Sequence, residues 1–370
     1  MPANPGPLAA PTAEDLHAWY RVQSAAFAHD RPGEPVPSHA AVRARLTTTG
    51  SRLRQVLWLL RSAASDPVAT ASLRLPAAED ELSPGGTAAG GTGGSGDSGA
   101  GGSDSGSRAG GSGSRGGGQG GVTGEIRMTV HPAHRRLGTG SRLLATVTEA
   151  AAAAGCGSLV GEVTSGTSGE GFLATRGFVP VLRRTWQRLP LDDVPAPVAK
   201  LPDVPHPGYR LTAWEGAAPD TLADGFTAAL RTLPPLPPEA GLAPGATRWD
   251  PSCVHETAEL AARRGDRLLT VAALHDTGDL VGYTTVLLPG DGARRARQYD
   301  TAVVPDHRGH GLALWMTAEL LRRLAAAQPG LTELHTAVPD DSRHLLTVNA
   351  TLGFRPLRRT VRYRLRLRRR

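Results

Sequence analysis

The chain carries one short pattern twice. Val130-His-Pro-Ala-His-Arg135-Arg-Leu-Gly138-Thr-Gly140 aligns with Val303-Val-Pro-Asp-His-Arg308-Gly-His-Gly311-Leu-Ala313 at an offset of 173. Farther on, Gly177-Phe178-Val-Pro180 aligns with Gly353-Phe354-Arg-Pro356 at an offset of 176. Two landmarks in the same order at nearly the same offset point to a tandem duplication. A length of 370 residues gives each copy the size of an ordinary domain.

The local patterns of the copies agree. Thr12-x-x-Asp15 reads as a capping box, followed by Leu16, Trp19, Tyr20, Gln23 and Phe27 at helical spacing. Residues 56–60 and 68–75 read as strands, and Ile126, Met128 and Val130 alternate as a half-buried strand does. A helix then carries Leu143, Val147 and Ala151 and stops near Gly155. In the second copy strands are expected at 209–214, 299–304, 331–338 and 361–367. A hairpin over 268–288 turns at 276–279, and helices start at Asp220 and near Leu314. The result is a mixed α/β unit, used twice.

Composition punctuates this layout. Residues 83–121 are almost only Gly, Ser, Ala, Asp and Thr, with no apolar surface to offset ordering entropy, so a flexible insertion inside the first copy is expected. From Pro190 to Gly208 there are six prolines in nineteen residues, which suits an extended spacer. The expected division is a first domain at 1–193, a Pro-rich linker at 194–207 and a second domain at 208–370. A further Pro-rich stretch, 233–251, sits between two helical patterns, where it is either a lid over an acceptor or a plain connector.

The net charge of +7 is located in one place: nine arginines and no acid lie between Arg355 and Arg370. A nucleic-acid surface needs charge spread over a face, so specific nucleic-acid binding is not expected. The alternation Arg362-Tyr-Arg-Leu-Arg-Leu-Arg368 reads as an edge strand whose arginines guard against aggregation. No apolar run reaches the roughly 18 residues of a membrane helix. The opening Met-Pro-Ala-Asn-Pro shows no secretory signal, and Cys156 and Cys253 alone make neither a disulfide framework nor a Cys-rich zinc site. A cytoplasmic protein without a metal is expected.

In both copies an Arg-x-x-Gly-x-Gly/Ala turn lies between a strand and a helix. Glycine permits the positive φ at which successive backbone N–H groups converge, and a helix N-terminus adds to the same anion site. The arginine would be a further donor, and the small third residue would let a ligand approach. A phosphate or pyrophosphate ligand follows. Neither turn ends in Gly-Lys-Ser/Thr, and Leu143 stands where a dinucleotide fingerprint needs its third glycine.

This turn after a Val-x-Pro strand end, with Gly-Phe about 40 residues later, resembles the GNAT superfamily of acyl-CoA-dependent N-acyltransferases. The tandem layout resembles mycothiol-synthase-type double proteins of that superfamily. The resemblance implies two tandem GNAT-like domains and acetyl-CoA as co-substrate. It implies that Arg135, Arg136, Leu137, Gly138, Thr139 and Gly140 hold the coenzyme A pyrophosphate in the first copy. In the second these are Arg308, Gly309, His310, Gly311, Leu312 and Ala313. Strand residues Met128 and Val130, and Thr301 and Val303, would pair with the pantetheine arm.

Acetyl transfer needs a neutral amine, and an alkyl ammonium of pKa ~10 is charged at pH 7, so a base is required. The candidates on the central strands are Glu125 and Glu162 in the first copy, and Asp300 and His335, with Glu333 close by, in the second. Asp300 is one residue off the face of Tyr299, Thr301 and Val303. Where many members of the superfamily place an acidic Tyr, four residues before the Gly of Gly-Phe, this chain has Leu173 and Asn349. Asn349 can hydrogen-bond a thiol, and Tyr299 or a water could supply the proton. The expectation is an N-acetyltransferase acting on a small primary amine, with the second half catalytic. The alternative is a non-catalytic acyl-CoA-binding regulatory or scaffold protein.

Overall fold

The computed structural model describes residues 6–77, 122–232, 250–290, 292 and 294–367. The expected insertion at 83–121 lies outside these residues, as does the 233–251 loop apart from its last two positions.

The first copy begins with two helices, α1 (Ala13–Asp30) and α2 (His39–Thr47), then β1 (Leu53–Arg61), β2 (Pro67–Pro76) and β3 (Val122–Val130). It continues through α3 (Thr139–Ala153), β4 (Cys156–Thr164), α4 (Ser168–Ala174) and β5 (Val179–Pro190). After a short helix, α5 (Ala196–Lys200), the pattern repeats. Its elements are β6 (Tyr209–Glu215), α6 (Asp220–Arg231), α7 (Pro251–Arg263), β7 (Arg267–His275), β8 (Leu280–Leu288), β9 (Arg295–Val303), α8 (Leu312–Ala327), β10 (Glu333–Pro339), α9 (Arg343–Leu352) and β11 (Arg355–Arg366). The capping box at Thr12 is formed in both directions, which fixes the start of α1. Among the described residues, the opening segment of the first copy forms a single bridge, between Leu8 and Leu57.

Among the described residues eleven strands join one sheet in the order β1-β2-β3-β4-β11-β5-β10-β9-β8-β7-β6. The halves exchange their last strands. β11 runs antiparallel between β4 and β5, and β5 runs antiparallel to β10. The Arg-rich C-terminal alternation is therefore a central strand and not the edge strand its charge pattern suggested. Its arginines find acids across the seam: Arg358 Nη1 donates to both carboxylate oxygens of Glu34, at 2.8 and 3.0 Å. The Pro-rich connection also differs from a bare extended spacer. Pro197 sits in the first turn of α5, and Val198 is buried in the core below α8.

Two apolar cores lie on one face of the sheet, one under α3 and one under α8. On the opposite face Trp19 and Val42 of α1 and α2 pack on Leu57, and Phe226, Leu230 and Val254 of α6 and α7 pack on Tyr283 and Ala302. Arg52 joins the halves on this second face, reaching Asp250 and Glu256 at 3.2 Å each. Among the described residues no helix is long and apolar enough to cross a membrane.

Candidate active site

Each glycine turn closes on itself in the same way. Gly138 (φ +79°) caps α3 and Gly311 (φ +74°) caps α8, both left-handed. Two positions earlier the chain is left-handed again, at Arg136 (φ +65°) and Gly309 (φ +86°). A non-glycine residue there costs roughly 1–2 kcal/mol, so the first copy carries strain that the second avoids. Glycine at each N-cap has no side chain with which to cap its helix, which leaves first-turn N–H groups to be met by an anion. A Cβ at Gly138 would meet no atom within 4 Å, and one at Gly311 would meet only His206 Nε2 at 3.8 Å. The cradles are thus open in front of the glycines, and a diphosphate fits the chemistry of their donors.

Other residues of the turns have different tasks from those expected. Arg135 Nε donates to the Val130 carbonyl at 3.1 Å, and Arg308 Nε to the Val303 carbonyl at 3.0 Å. These nitrogens hold the turn against its own strand instead of facing the anion. Arg135 is further occupied by Asp30, at 2.7 and 2.8 Å. A Cβ at Gly140 would come within 3.2 Å of the Phe172 ring, so its small size serves helix packing. Leu312 and Ala313 are buried, leaving only their backbones for a ligand, whereas Leu137 stands 70% exposed at the tip of its turn. Thr139 opens α3 and His310 is exposed beside Gly311.

Next to each turn the sheet splits. β3 and β4 pair in parallel only from Val122 to Glu125, and β9 and β10 only from Arg295 to Arg297. Beyond those points the strands diverge, opening a cleft bordered by Met128 and Val130 in one half and Thr301 and Val303 in the other. The side chains of Met128, Val130 and Val303 lean into the helix-covered cores. The Thr301 hydroxyl is 2.9 Å from Thr284 Oγ1 and from Gln298 Nε2.

The two clefts differ at one backbone feature. β3 pairs regularly with β2, whereas β9 is bulged against β8: Thr285 faces Asp300, and the next residue, Val286, faces Gln298. Tyr299 is the extra residue. A bulge shifts the alternation by one, so Tyr299 and Asp300 point to the same side. Both line a cavity of about 280 Å³ below α6 and α7, with Tyr283, Thr285 and Phe226. Asp300 thus joins the Tyr299 face and Thr301 leaves it, the reverse of what strict alternation implies.

Burial pushes the Asp300 carboxyl up to about 7; the Arg297 and Arg184 guanidiniums pull it back only in part. Such a group exchanges protons near neutrality. Tyr283 lies beside it, fully buried, with no hydrogen-bond partner for its hydroxyl among the described residues. Burial and the Asp300 charge hold that phenol well above its usual range. Arg297 lies over the rings of Trp186 and Tyr299, at 4.7 and 4.9 Å.

The other candidate residues are held elsewhere. Glu125 pairs with Arg127 at 3.3 Å, and Glu162 with Arg184 at 3.3 Å. His335 Nε2 lies 2.9 Å from Glu333, which also pairs with Arg295 at 2.9 Å. Burial holds the His335 ring below its usual range, against the pull of Glu333. Asn349 is buried and its amide donates to Gln187. Leu173, at the equivalent place in the first half, is part of the apolar core. Of the six expected catalytic residues, the cavity brings together Tyr299 and Asp300.

The acetyltransferase (GNAT) family model matches residues 67–178 and 235–354. The chain belongs to the GNAT family. Proteins of this family take an acyl-CoA as co-substrate. Among solved structures, a tandem GNAT protein from the clavulanic acid biosynthesis pathway is 25% identical. The match covers 97% of each chain with a TM-score of 0.71. A GCN5-related N-acetyltransferase from Sphaerobacter thermophilus is 16% identical over 97% of this chain and 95% of its own, with a TM-score of 0.62. A glucosamine N-acetyltransferase region of a fungal multi-domain β-N-acetylglucosaminidase is 13% identical. It covers 98% of this chain and 38% of its own, with a TM-score of 0.59. A search of curated proteins finds no match. The tandem GNAT architecture and the repeated turn agree with the sequence reading.

Sequence reasoning missed three site residues. Tyr283 looks like any aromatic residue in an apolar strand. Arg184 reaches the second cleft only through the strand exchange, a long-range pairing with no local signature. Arg264, which follows α7, lines the cavity from a helix end that reads as ordinary surface charge.

Proposed function

We propose that this GNAT protein is an acetyl-CoA-dependent N-acetyltransferase for a primary amine, and that its second half carries the reaction. The observation behind this is the bulge at Tyr299, which brings a carboxylate poised near neutrality to the mouth of a split strand pair beside an open anion cradle. Bound acetyl-CoA supplies the activated thioester. The backbone of Gly309–Ala313 and the first turn of α8 hold its diphosphate, and the free edge of β9 at Thr301–Val303 holds its amide arm. Asp300 takes the proton from the acceptor ammonium. The freed amine attacks the thioester carbonyl, the carbon–sulfur bond breaks, and Tyr299, next to Asp300, gives its proton to the departing thiolate, while Tyr283 donates a hydrogen bond that orients the incoming group. A positioned base of this kind is typically worth about 10²–10⁴-fold.

The first half has the cradle at Arg135–Gly140 without the bulge. Glu125 is engaged by Arg127, and Leu173 gives no proton. This supports a role for that half in binding acyl-CoA or in bracing the second site. The likeness to a protein from a biosynthetic pathway supports a small-molecule acceptor.

The test is coenzyme A release by the intact chain with acetyl-CoA and a panel of amines. Turnover that Asp300→Asn removes supports the reading. Saturable acetyl-CoA binding with no turnover for any amine would favour the non-catalytic alternative.

A further inference from the structure

The acceptor cavity is built by both halves, and its charge is uneven. Ala41, Ala44 and Arg45 of α2, from the first half, form part of the wall opposite β9. The described charged residues on the wall are Arg45, Arg264, Arg295 and Arg297 against Asp266 and Asp300. Arg295 is matched by Glu333 at 2.9 Å. Arg264 is different. It is half-buried, and its Nε and Nη2 bond to the neutral Thr48 carbonyl at 3.1 and 2.7 Å.

A carbonyl orients a guanidinium without cancelling its charge, and the Asp266 carboxylate offsets that charge only in part against burial and the neighbouring arginines. Arg45 and Arg264 are close enough to repel one another, and Arg74 feels both. Like charges gathered on the wall of a cavity are stabilised when an anion joins them. Arg264 also lies near Tyr299, the neighbour of Asp300, so the cationic corner and the proton acceptor share one small chamber.

We propose that the acceptor is an amine that also carries a carboxylate, held by Arg264 and Arg45 while its amino group meets Asp300. This rests on the reading of the second half as catalytic. It makes the first half a contributor to substrate choice through α2. A planar carboxylate suits the two-pronged guanidinium better than a point cation would.

The experiment compares amino acids with their carboxamides as acceptors, using the full chain, and measures in parallel their direct binding by calorimetry. The expected result is a preference for the free acid of roughly 10–100-fold in kcat/KM, with Arg264→Gln and Arg45→Gln each removing most of it and Arg264→Lys restoring part. The Kd for acetyl-CoA stays unchanged. Arg45 is on an exposed helix face, so its variant keeps the fold even where loss of the Thr48 tie harms Arg264→Gln. Turnover of carboxamides as fast as acids, with both variants silent, overturns the inference and leaves the N-acetyltransferase intact. Selective binding of acids that the variants lose, without turnover, keeps the inference and overturns the catalytic reading. Absence of any acid preference in both binding and turnover overturns the inference outright.

Discussion

Asn349 of α9 donates its amide to Gln187 Oε1 at 2.7 Å, and the two residues come from opposite halves of the chain. Both are buried, at 7% and 4% exposure, so no water replaces either partner. Gln187→Leu strands a buried amide, at a cost of about 1–3 kcal/mol. The expected outcome is a Tm lowered by several degrees. Changing both residues to Leu should cost less than the sum of the single changes. Additive losses in thermal denaturation would show that the pair is not coupled.

The same seam makes the halves mutually dependent. β11 closes the gap between β4 and β5, and β5 closes the gap beside β10. Expressed separately, residues 1–193 and 208–370 each expose unpaired strand edges, which favour aggregation. Co-expression should recover a soluble one-to-one complex with native circular dichroism. A monomeric, cooperatively unfolding fragment from either half would contradict this.

Legibility in the sequence followed the range of the interaction. The two glycine turns were readable because a strand end, a left-handed glycine and a helix start are neighbours along the chain. The helix cap at Thr12 was local in the same way. Asp300 was found as a residue but put on the wrong face, because alternation fails at a bulge and nothing in Gln298-Tyr-Asp-Thr announces one. Arg184 went unnoticed in the second site, and β11 was read as an edge, for a single reason. Strand order between distant segments is set by packing that periodicity does not record.

The cradles allow a direct comparison. Gly311→Glu puts a carboxylate in front of uncapped N–H groups and forces a side chain into a left-handed position. Gly138→Glu does the same in the first half. Turnover is expected to fall at least tenfold more for Gly311→Glu, with acetyl-CoA affinity measured alongside. Equal losses would assign catalysis to both halves.

Asp300 predicts a rising pH limb. With its carboxyl held up to about 7, the basic form grows through neutrality, so kcat should climb with an apparent pKa near 7. Asp300→Asn should lower kcat by about 10²–10⁴-fold and flatten that limb. The stability sign is opposite. The folded carboxyl binds its proton more tightly than the unfolded one, so its contribution is complete below about 4 and is lost as pH rises through about 7. Asp300→Asn should therefore gain most in Tm above neutrality, and a variant whose Tm falls in parallel with wild type across that window would remove Asp300 as the buried titrating group.

Tyr283 separates a functional hydroxyl from a structural one. Its oxygen is buried without a partner among the described residues, a state that costs stability until a bound molecule supplies the missing bond. Tyr283→Phe keeps the ring that packs edge-on against Phe226 at 4.9 Å and removes only that oxygen. The expected outcome is a Tm equal to or above wild type together with kcat/KM reduced roughly tenfold or more, as loss of one hydrogen bond to a bound group implies. Because the effects have opposite signs, misfolding cannot mimic them. A lowered Tm with normal kinetics would make Tyr283 a core residue only.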